Sequence, residues 1–301
     1  MNTTDKNPLI DQLIRMGISS PSSLKPYHPR TRDNGDIKVL KCSKSGVIVL
    51  EKLVTSEQYY TSNSYYHTDK QGEVLTAQGS IKSEPLEDDI RRFETYKAMI
   101  KGKRLLDFGC GSGGFLSLSN EISDSCTGIE LESTNRNNIN KSGIECVQTI
   151  EQLSGKQFDL IFLNHVLEHL PHPISVLKSL HTLLEKDGKL IIEVPHSKDI
   201  LIQTFDLDAF KDFTFWSEHL ILHTRKSLKI FLNESGFDPI EITGFQRYPL
   251  SNHFNWLLNG QPSGHTIYKH LNNDLFNRNY GSFLDKIDET DTLIGYFRKH
   301  Q

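Results

Sequence analysis

A glycine-rich turn between residues 104 and 115 is the first stretch whose residue types and spacing suit chemistry. It reads RLLDFGCGSGGF, an apolar run that ends in Asp107 and is followed by alternating glycines, among them Gly109 and Gly111. Glycine tolerates a positive φ and lets a ligand approach the backbone closely, and the helix that follows offers free N–H groups at its start. A carboxylate two residues before the first glycine suits a cationic or hydrogen-bond-donating ligand better than a pyrophosphate. No Gly-Lys-Ser/Thr follows, which argues against a phosphate-binding P-loop.

A second carboxylate follows at a distance typical of nucleotide-binding sheets. The segment 127–130 reads as the end of a second strand. Its last residue, Glu130, lies about twenty residues after the glycines, where an acid that binds ribose hydroxyls belongs. A dinucleotide-binding Rossmann domain uses a similar turn, and glycines also serve turns that bind nothing. The residue types alone leave these alternatives open.

Together the two motifs resemble those of the class I S-adenosylmethionine-dependent methyltransferases, whose first motif is written much like LLDFGCGSGGF. The resemblance implies S-adenosyl-L-methionine as the cofactor, with its ribose held by Glu130 and its methionine part backed by the glycine turn. It also implies a cofactor site made of Asp107, Gly109, Cys110, Gly111, Glu130, Leu131, Asn164 and His165.

A third polar cluster follows the predicted strand 158–164, in the segment FDLIFLNHVLEHLPHP. Asn164 and His165 stand at the carboxyl edge of the sheet, where open α/β sheets bind ligands. The segment resembles the V-L-E-H signature of methyltransferases related to the ubiquinone-pathway O-methylases and to many sugar methylases. That resemblance implies that Asn164 and His165 line the cofactor pocket and that His169 points toward the acceptor. A structural role for these histidines is the alternative.

A fourth cluster, at residues 216–219, reads WSEH. It resembles a Tyr-x-Glu-His segment of a family of sugar C-methyltransferases, with Trp216 in the place of the tyrosine. The resemblance implies that Glu218 and His219 form a catalytic pair, because histidine accepts a proton near neutral pH and a carboxylate can orient it. A histidine base favours an oxygen or carbon acceptor over an amine that is already nucleophilic. A surface histidine without a catalytic role is the alternative.

Two further segments carry residues suited to binding a substrate. The tyrosine-rich run EQYYTSNSYYH contains Tyr65 and Tyr66, and it resembles segments that fold over cofactor and substrate in sugar methyltransferases. Farther along, Arg247, Tyr248 and His253 combine a guanidinium fork suited to phosphate with aromatic faces suited to rings. Packing of an arm is the alternative for the first segment, and an oligomer contact is the alternative for the second.

A possible metal site is predicted to be absent. Cys42, Ser45 and Gly46 lie in CSKSG, which resembles the Cys-x-x-Cys-Gly zinc hairpin of several sugar methyltransferases with serine in place of the second cysteine. Serine is a poor zinc ligand, and one thiolate cannot complete a tetrahedral site. We therefore predict a plain hairpin and no bound metal.

Composition limits the classes of protein that fit. The 301 residues are 36% hydrophobic with a net charge of −4, which describes a globular protein and argues against a general nucleic-acid-binding surface. No apolar run approaches the length of a membrane span, and the first residues do not form a secretory signal. Four scattered cysteines favour reduced thiols and a cytoplasmic location. A homo-oligomer remains possible.

The predicted architecture is α/β, a Rossmann-like seven-stranded mixed sheet with an N-terminal hairpin arm and a long insertion before the last strand. We divide the chain into an arm (1–83), a methyltransferase core (84–245), an insertion or cap (246–290) and the final strand (291–301). Within the core we predict a helix over 84–100 with one apolar face, formed by Ile90, Phe93, Tyr96 and Ile100. We also predict a glycine stop at residues 186–188 that ends the helix before the fifth strand.

The predicted function is methylation of a sugar, sugar nucleotide or surface-polysaccharide precursor at oxygen or carbon, with a histidine base. A quinone or natural-product O-methyltransferase is the enzymatic alternative, and a cofactor-binding regulatory module is the non-enzymatic one. In each enzymatic case the acceptor is a small molecule or a glycan, and not a nucleic acid.

Overall fold

The computed structural model describes residues 6–53 and 85–300 of the chain. Within these ranges the strands are β1 (Leu24–His28), β2 (Val39–Cys42), β3 (Ile48–Leu50), β4 (Arg104–Phe108), β5 (Ser125–Ile129), β6 (Glu145–Val147), β7 (Phe158–Asn164), β8 (Leu184–Pro195), β9 (Ile221–Leu222), β10 (Phe237–Phe245) and β11 (Thr292–Lys299). They form two sheets, one of four strands and one of seven.

The helices of the same ranges connect these strands and form a cap near the C-terminus. They are α1 (Pro8–Arg15), α2 (Glu87–Ile100), α3 (Gly114–Asn120), α4 (Ser133–Lys141), α5 (Pro173–Leu183), α6 (Ile200–Gln203), α7 (Asp208–Thr214), α8 (Arg225–Glu234), α9 (Leu250–Asn259), α10 (Gly264–Ile267) and α11 (Asp274–Lys286). Short 3₁₀ turns lie at Ile150–Leu153, Leu167–His169 and Lys269–Leu271. No helix of the described residues has both the length and the apolar character that a membrane crossing requires.

The seven-stranded sheet has the order β10-β11-β8-β7-β4-β5-β6. Strands β4 to β8 pair in parallel, whereas β11 lies antiparallel between β8 and β10. The last strand is therefore inserted beside the sixth, and the predicted seven-stranded mixed sheet is confirmed. Its parallel strands end at one edge, where the polar residues that follow β4, β5, β7 and β8 meet.

The N-terminal arm packs on the core through a sheet of its own. The predicted hairpin is present as β2 and β3, and β9 joins it by pairing Ile48 with Leu222 and Val49 with Ile221. A β-strand of two residues is too short for a sequence pattern to reveal. Buried apolar residues of α1, β2 and β3 share one cluster with Leu106 of the large sheet, so the arm and this face of the core have a common interior.

The structure corrects the predicted glycine stop at residues 186–188. Helix α5 ends at Leu183 and β8 begins at once, so Gly188 lies within a strand. A Cβ on Gly188 would lie 2.8 Å from Leu184 Cδ1 and 3.1 Å from the carbonyl oxygen of Asp159. The glycine thus permits a close approach of β8 to β7, beside a shift in their register.

Helix α2 also differs from its prediction. Ile90 was expected to face the core, but 49% of its surface is exposed, whereas Tyr96 and Ile100 are buried as expected. Arg92 is buried instead, because the carboxylate of Glu193 at the end of β8 pairs with its guanidinium. The helix therefore packs a charged contact near its start, which an apolar pattern cannot predict.

Candidate active site

The glycine turn after β4 adopts a conformation that other residues rarely adopt. Gly109, Gly111 and Gly113 all have a positive φ, and the N–H of Gly109 donates to the carbonyl of Ile129 at 2.8 Å. A Cβ on Gly109 would lie 2.6 Å from a methyl carbon of Val166. Both the backbone conformation and the contact with the segment after β7 therefore require glycine at this position.

Glu130 and Asp107 place two buried carboxylates beside this turn. Glu130 accepts hydrogen bonds from the N–H groups of Gly111 at 2.8 Å and Glu132 at 2.7 Å. Asp107 lies 3.5 Å from the side-chain amide of Asn164. Burial raises the pKa of Asp107 to about 7 and also raises the pKa of Glu130, so both charges are poorly stabilised by the protein alone. A ligand that brings a cation and hydroxyl donors would stabilise them, and S-adenosylmethionine carries both.

Cys110 of this turn and Leu131 after β5 are two further residues of the predicted cofactor site. The Cys110 thiol lies 3.8 Å from the Cys146 thiol of β6, and the Leu131 side chain is partly exposed beside Glu130. Leu131 therefore offers apolar surface to a ring, whereas Cys110 contributes its backbone to the turn. None of the four cysteines forms a disulfide, and all four are described.

His165 lies between two buried carboxylates. Its Nδ1 is 3.0 Å from Glu168 Oε1, and its Nε2 is 3.2 Å from Glu193 Oε1. Burial opposes protonation of the ring, but the two carboxylates outweigh burial and raise the pKa of His165. Its φ of 55° is unusual for a residue with a side chain and marks a backbone held by its surroundings.

The predicted catalytic histidines are close together. The ring centroids of His169 and His219 are 5.0 Å apart, and each ring is partly buried. Burial lowers the pKa of both rings, that of His219 to about 3, so both are neutral at pH 7. The structure thus unites two segments separated by 50 residues in the sequence, as the fold of the predicted sheet requires.

Glu168 is the carboxylate beside this histidine pair, and no role was predicted for it from the sequence. One ligand atom each from Glu168, His169 and His219 lie within 4.8 Å of one another, an arrangement that could hold a metal ion. Burial opposes ionisation of Glu168, but the facing histidines, His165 first, lower its pKa to about 2. Glu218 is also buried. Burial lowers the pKa of Arg32, and the negative charge of Glu218 partly opposes that shift.

Three comparisons with known proteins bear on this site. A family model described as "Methyltransferase domain" matches residues 80–242, more than half of the chain. The chain belongs to the methyltransferase-domain family. This confirms the predicted class I methyltransferase over the dinucleotide-binding alternative, and with it S-adenosylmethionine as the cofactor of the fold.

Relatives of this methyltransferase were found by sequence and by structure. It is 31% identical over 107 residues to a ubiquinone biosynthesis O-methyltransferase of Pseudomonas aeruginosa, a match that covers 32% of this chain and 46% of the relative. A namesake from Roseobacter denitrificans is 27% identical over 177 residues, covering 54% of this chain and 69% of the relative. The chain thus spans about half the length of most of the curated relatives that it matches.

A solved structure supports the fold. An S-adenosylmethionine-dependent methyltransferase from Archaeoglobus fulgidus superposes with a TM-score of 0.50 at 20% identity. The superposition covers 74% of this chain and 96% of the other. At this identity the likeness concerns the architecture of the methyltransferase and not its acceptor.

The carboxyl edge of the sheet carries a charged network that the sequence did not reveal. Glu193 accepts hydrogen bonds from Arg91 at 2.7 Å and from Arg92 at 3.1 Å, and it also faces His165. Asp88 pairs with Arg247 of the insertion. The network therefore links α2, β8 and the segment after β10 across the carboxyl edge of the sheet. The pairs are far apart in sequence, which is why no motif reports them.

The predicted substrate residues of the insertion divide into two groups. Arg247 belongs to the charged network, and the Tyr248 ring lies 5.5 Å from its guanidinium with much of its surface exposed. His253 is buried, and its Nδ1 lies 2.7 Å from the Tyr280 hydroxyl. The His253 ring thus joins α9 to α11, and a role for His253 in binding the substrate stays a prediction. Trp256 is also buried, against Phe residues of α7.

The N-terminal arm carries two further predictions, the tyrosines that would contact the substrate and the absence of a metal at Cys42. Tyr65 and Tyr66 lie outside the described residues. The Cys42 thiol is buried at 3.3 Å from the Ser23 hydroxyl, and the N–H of Ser45 donates to it at 3.5 Å. Those contacts belong to a hydrogen-bonded thiol in a hairpin, and the absence of zinc at Cys42 stays a prediction.

Proposed function

We propose that this protein transfers a methyl group from S-adenosylmethionine to a hydroxyl oxygen of a small-molecule acceptor. The observation that carries the proposal is the pair of neutral imidazoles, His169 and His219, beside the ionised Glu168. A hydroxyl is a weak acid and a poor nucleophile until its proton is removed. A neutral imidazole next to a carboxylate is suited to accept that proton.

The residues around the glycine turn fit the cofactor. Glu130 would bind the ribose hydroxyls, Asp107 would face the amino group, and Leu131 would pack against the adenine. Bound S-adenosylmethionine supplies an activated methyl group, so the protein needs mainly to align the acceptor and remove its proton. Alignment alone can account for a large part of the rate.

The proton transfer follows from the positions of the three residues. With S-adenosylmethionine bound, one of the two imidazoles would accept the hydroxyl proton as the acceptor oxygen takes the methyl carbon and the sulfonium sulfur leaves as a neutral thioether. Glu168 stabilises the imidazolium that results, because its pKa of about 2 keeps it ionised. His165 is less suited to this role, since two carboxylates contact its ring nitrogens and raise its pKa.

Two classes of acceptor have support of different kinds. The names of the curated relatives favour a phenolic or quinone-type hydroxyl, as in ubiquinone biosynthesis. The charged network of Arg91, Glu193 and Arg247 favours a more polar acceptor, such as a sugar or sugar nucleotide. We place the phenolic hydroxyl first, because the names of the relatives give O-methylation in ubiquinone biosynthesis. The free thiols support a reducing, cytoplasmic compartment.

A methyl-transfer screen tests the proposal. The purified protein is incubated with methyl-deuterated S-adenosylmethionine and two panels of acceptors, catechols and hydroxyquinols in one, sugar nucleotides in the other, and products are read by mass spectrometry. Label in a methyl ether of a phenol supports the first class, and label in a sugar ether supports the second. Cofactor binding by calorimetry without transfer to any panel member, crude cell metabolites included, would instead support a regulatory module. Label on an amine or on nucleic acid would contradict the proposal.

A further inference from the structure

Helix α9 presents an apolar side to solvent, whereas the side that packs on the protein is polar apart from Trp256. Phe254, Leu257 and Leu258 are exposed, Leu258 to 72%, and with Leu250 they follow the i, i+4, i+7, i+8 spacing of one apolar helix face. On the opposite side Asn252 and Asn255 are buried and hydrogen-bonded to the segment 261–264. Helices that pack on a core show the reverse arrangement, so this face is built to be covered.

A second apolar face continues the first on α11. Phe276, Phe283 and Ile287 are exposed at 51%, 55% and 43%. The two helices meet where His253 Nδ1 approaches the Tyr280 hydroxyl at 2.7 Å. Side chains three or four positions apart are neighbours on a helix. Leu257 therefore lies beside His253 on α9, and Phe276 and Phe283 lie beside Tyr280 on α11. The two faces therefore adjoin, and together we call them the cap face.

The size of the cap face matches what a protein dimer needs. If each of its six exposed side chains presents about 100 Å², they amount to roughly 600 Å² of apolar surface. Monomers rarely expose an apolar patch of more than a few hundred Å². A standard interface buries about 800 Å² per partner, of which somewhat more than half is apolar. The cap face thus supplies the apolar part of one complete interface.

The charges around the cap face exclude some partners and permit one in particular. Helix α9 reads LSNHFNWLLN and contains no Asp, Glu, Lys or Arg. Amphipathic helices that bind anionic membranes carry Lys and Arg on their polar side, and this chain has a net charge of −4. The four charged residues of α11 (Asp274, Arg278, Asp285 and Lys286) sum to zero, and α9 has none. The cap face therefore meets a copy of itself without net repulsion between like charges. Two-fold self-association is also the commonest assembly among soluble proteins.

We propose that the cap face is the interface of a homodimer, in which α9 and α11 of one copy pack on the same helices of a second copy. This pairing buries Phe254, Leu257 and Leu258 around the two-fold axis. The interface lies on the insertion and is independent of the acceptor that the enzyme uses.

Sedimentation velocity over a broad concentration range tests this proposal with the full chain. The wild type is expected to sediment at twice its mass of 34.4 kDa and to dissociate on dilution. Leu258→Glu is expected to weaken the dimer by about a hundredfold or more, because an unpaired carboxylate would be buried at the interface. Phe283→Glu, on the other helix, should act in the same direction. Ile240→Glu is the matched control, since Ile240 is half-exposed on β10, outside the cap face. This variant should dimerise like the wild type.

Folding and alternative partners are checked in the same experiment. Circular dichroism melts at low concentration and cofactor affinity by calorimetry should be equal for all variants, which separates lost association from lost folding. A wild type that is monomeric at every concentration would overturn the proposal, as would dimers of Leu258→Glu and Phe283→Glu as tight as that of Ile240→Glu. Co-sedimentation of a monomer with anionic phospholipid vesicles would also overturn it and assign the cap face to a membrane surface.

Discussion

His165 and the pair of His169 and His219 share one edge of the sheet, but the pKa of His165 shifts in the opposite direction from that of the pair. Two carboxylates contact the ring of His165 and raise its pKa despite burial. Burial lowers the pKa of His169 and His219, that of His219 to about 3. The sequence shows three similar histidines, and only their neighbours in space separate the ring whose charged form is favoured from the two candidate bases.

The first residue-scale prediction concerns the cofactor. Glu130→Ala removes a charge-assisted hydrogen-bond acceptor, a loss of roughly 1.5–3 kcal/mol. Calorimetric affinity for S-adenosylmethionine should fall by about one to two decades while the melting temperature stays near that of the wild type. Glu151→Ala, in an exposed 3₁₀ turn, is the control. Unchanged affinity in Glu130→Ala would show that Glu130 does not bind the ribose.

The second prediction concerns the base. His219→Asn or His169→Asn should lower turnover with the true acceptor by about 10²–10⁴ and leave cofactor affinity intact, whereas the exposed His172→Asn should be neutral. An unperturbed histidine base predicts a rise in activity at roughly pH 6–7. Since burial lowers the pKa of His219 to about 3, we now expect that step at lower pH and a flat profile near neutrality. Near-normal turnover of both Asn variants would leave alignment as the source of the rate.

At the scale of elements, the charged contact between α2 and β8 deserves a test of its own. Glu193 is completely buried and pairs with two arginines, whereas Glu185 at the other end of β8 pairs with Arg104 at the surface. Removing one partner of a buried ion pair leaves an uncompensated charge, which costs about 3–5 kcal/mol. Glu193→Gln should therefore lower the free energy of unfolding by about that amount in urea titrations, and Glu185→Gln by at most about 1 kcal/mol. If the free energy of unfolding fell by a similarly small amount in both variants, water would be screening the charge of Glu193.

Sequence patterns predicted those elements whose positions follow from the chain itself. The strands β4, β7, β10 and β11 were found because apolar runs ended at glycine or polar residues. The stop before β8 was placed wrongly because a glycine needed for close packing reads like a helix cap. Contacts between distant segments were missed, since Glu193 and Arg92 acquire their meaning only when the sheet brings them together.

Across the whole molecule, the insertion is the part whose burial the sequence predicts least well. The insertion was predicted between β10 and β11, but its aromatic residues were assigned to a pocket. In the structure His253, Trp256 and Leu284 form its interior, whereas several other apolar residues of the insertion, such as Leu258 and Phe283, are exposed. Polarity predicts burial well for elements that pack on the sheet. It fails for α9, whose apolar face has no described element to cover it.

Stability of the whole molecule toward acid depends on histidines that are buried in the neutral form. His223 is completely buried between β9 and α8, with its Nδ1 at 3.1 Å from the Ser227 hydroxyl, and burial lowers its pKa to about 4. In the unfolded chain a histidine has a pKa of about 6.5. Between these two values the unfolded state binds a proton that the folded state does not, so stability is complete above about pH 6.5 and declines toward pH 4.

In His223→Gln the folded and unfolded states no longer differ by the proton that His223 binds on unfolding. The free energy of unfolding of the variant, measured by urea titration, should therefore depend on pH less steeply than that of the wild type, by about 1.4 kcal/mol per pH unit in this window. The comparison between variants isolates His223 from buried acids such as Asp107, whose raised pKa acts in the opposite direction. The exposed His172→Gln should keep the wild-type slope. Parallel curves for all three proteins would mean that His223 is protonated in the folded state, and that Glu168 nearby outweighs burial.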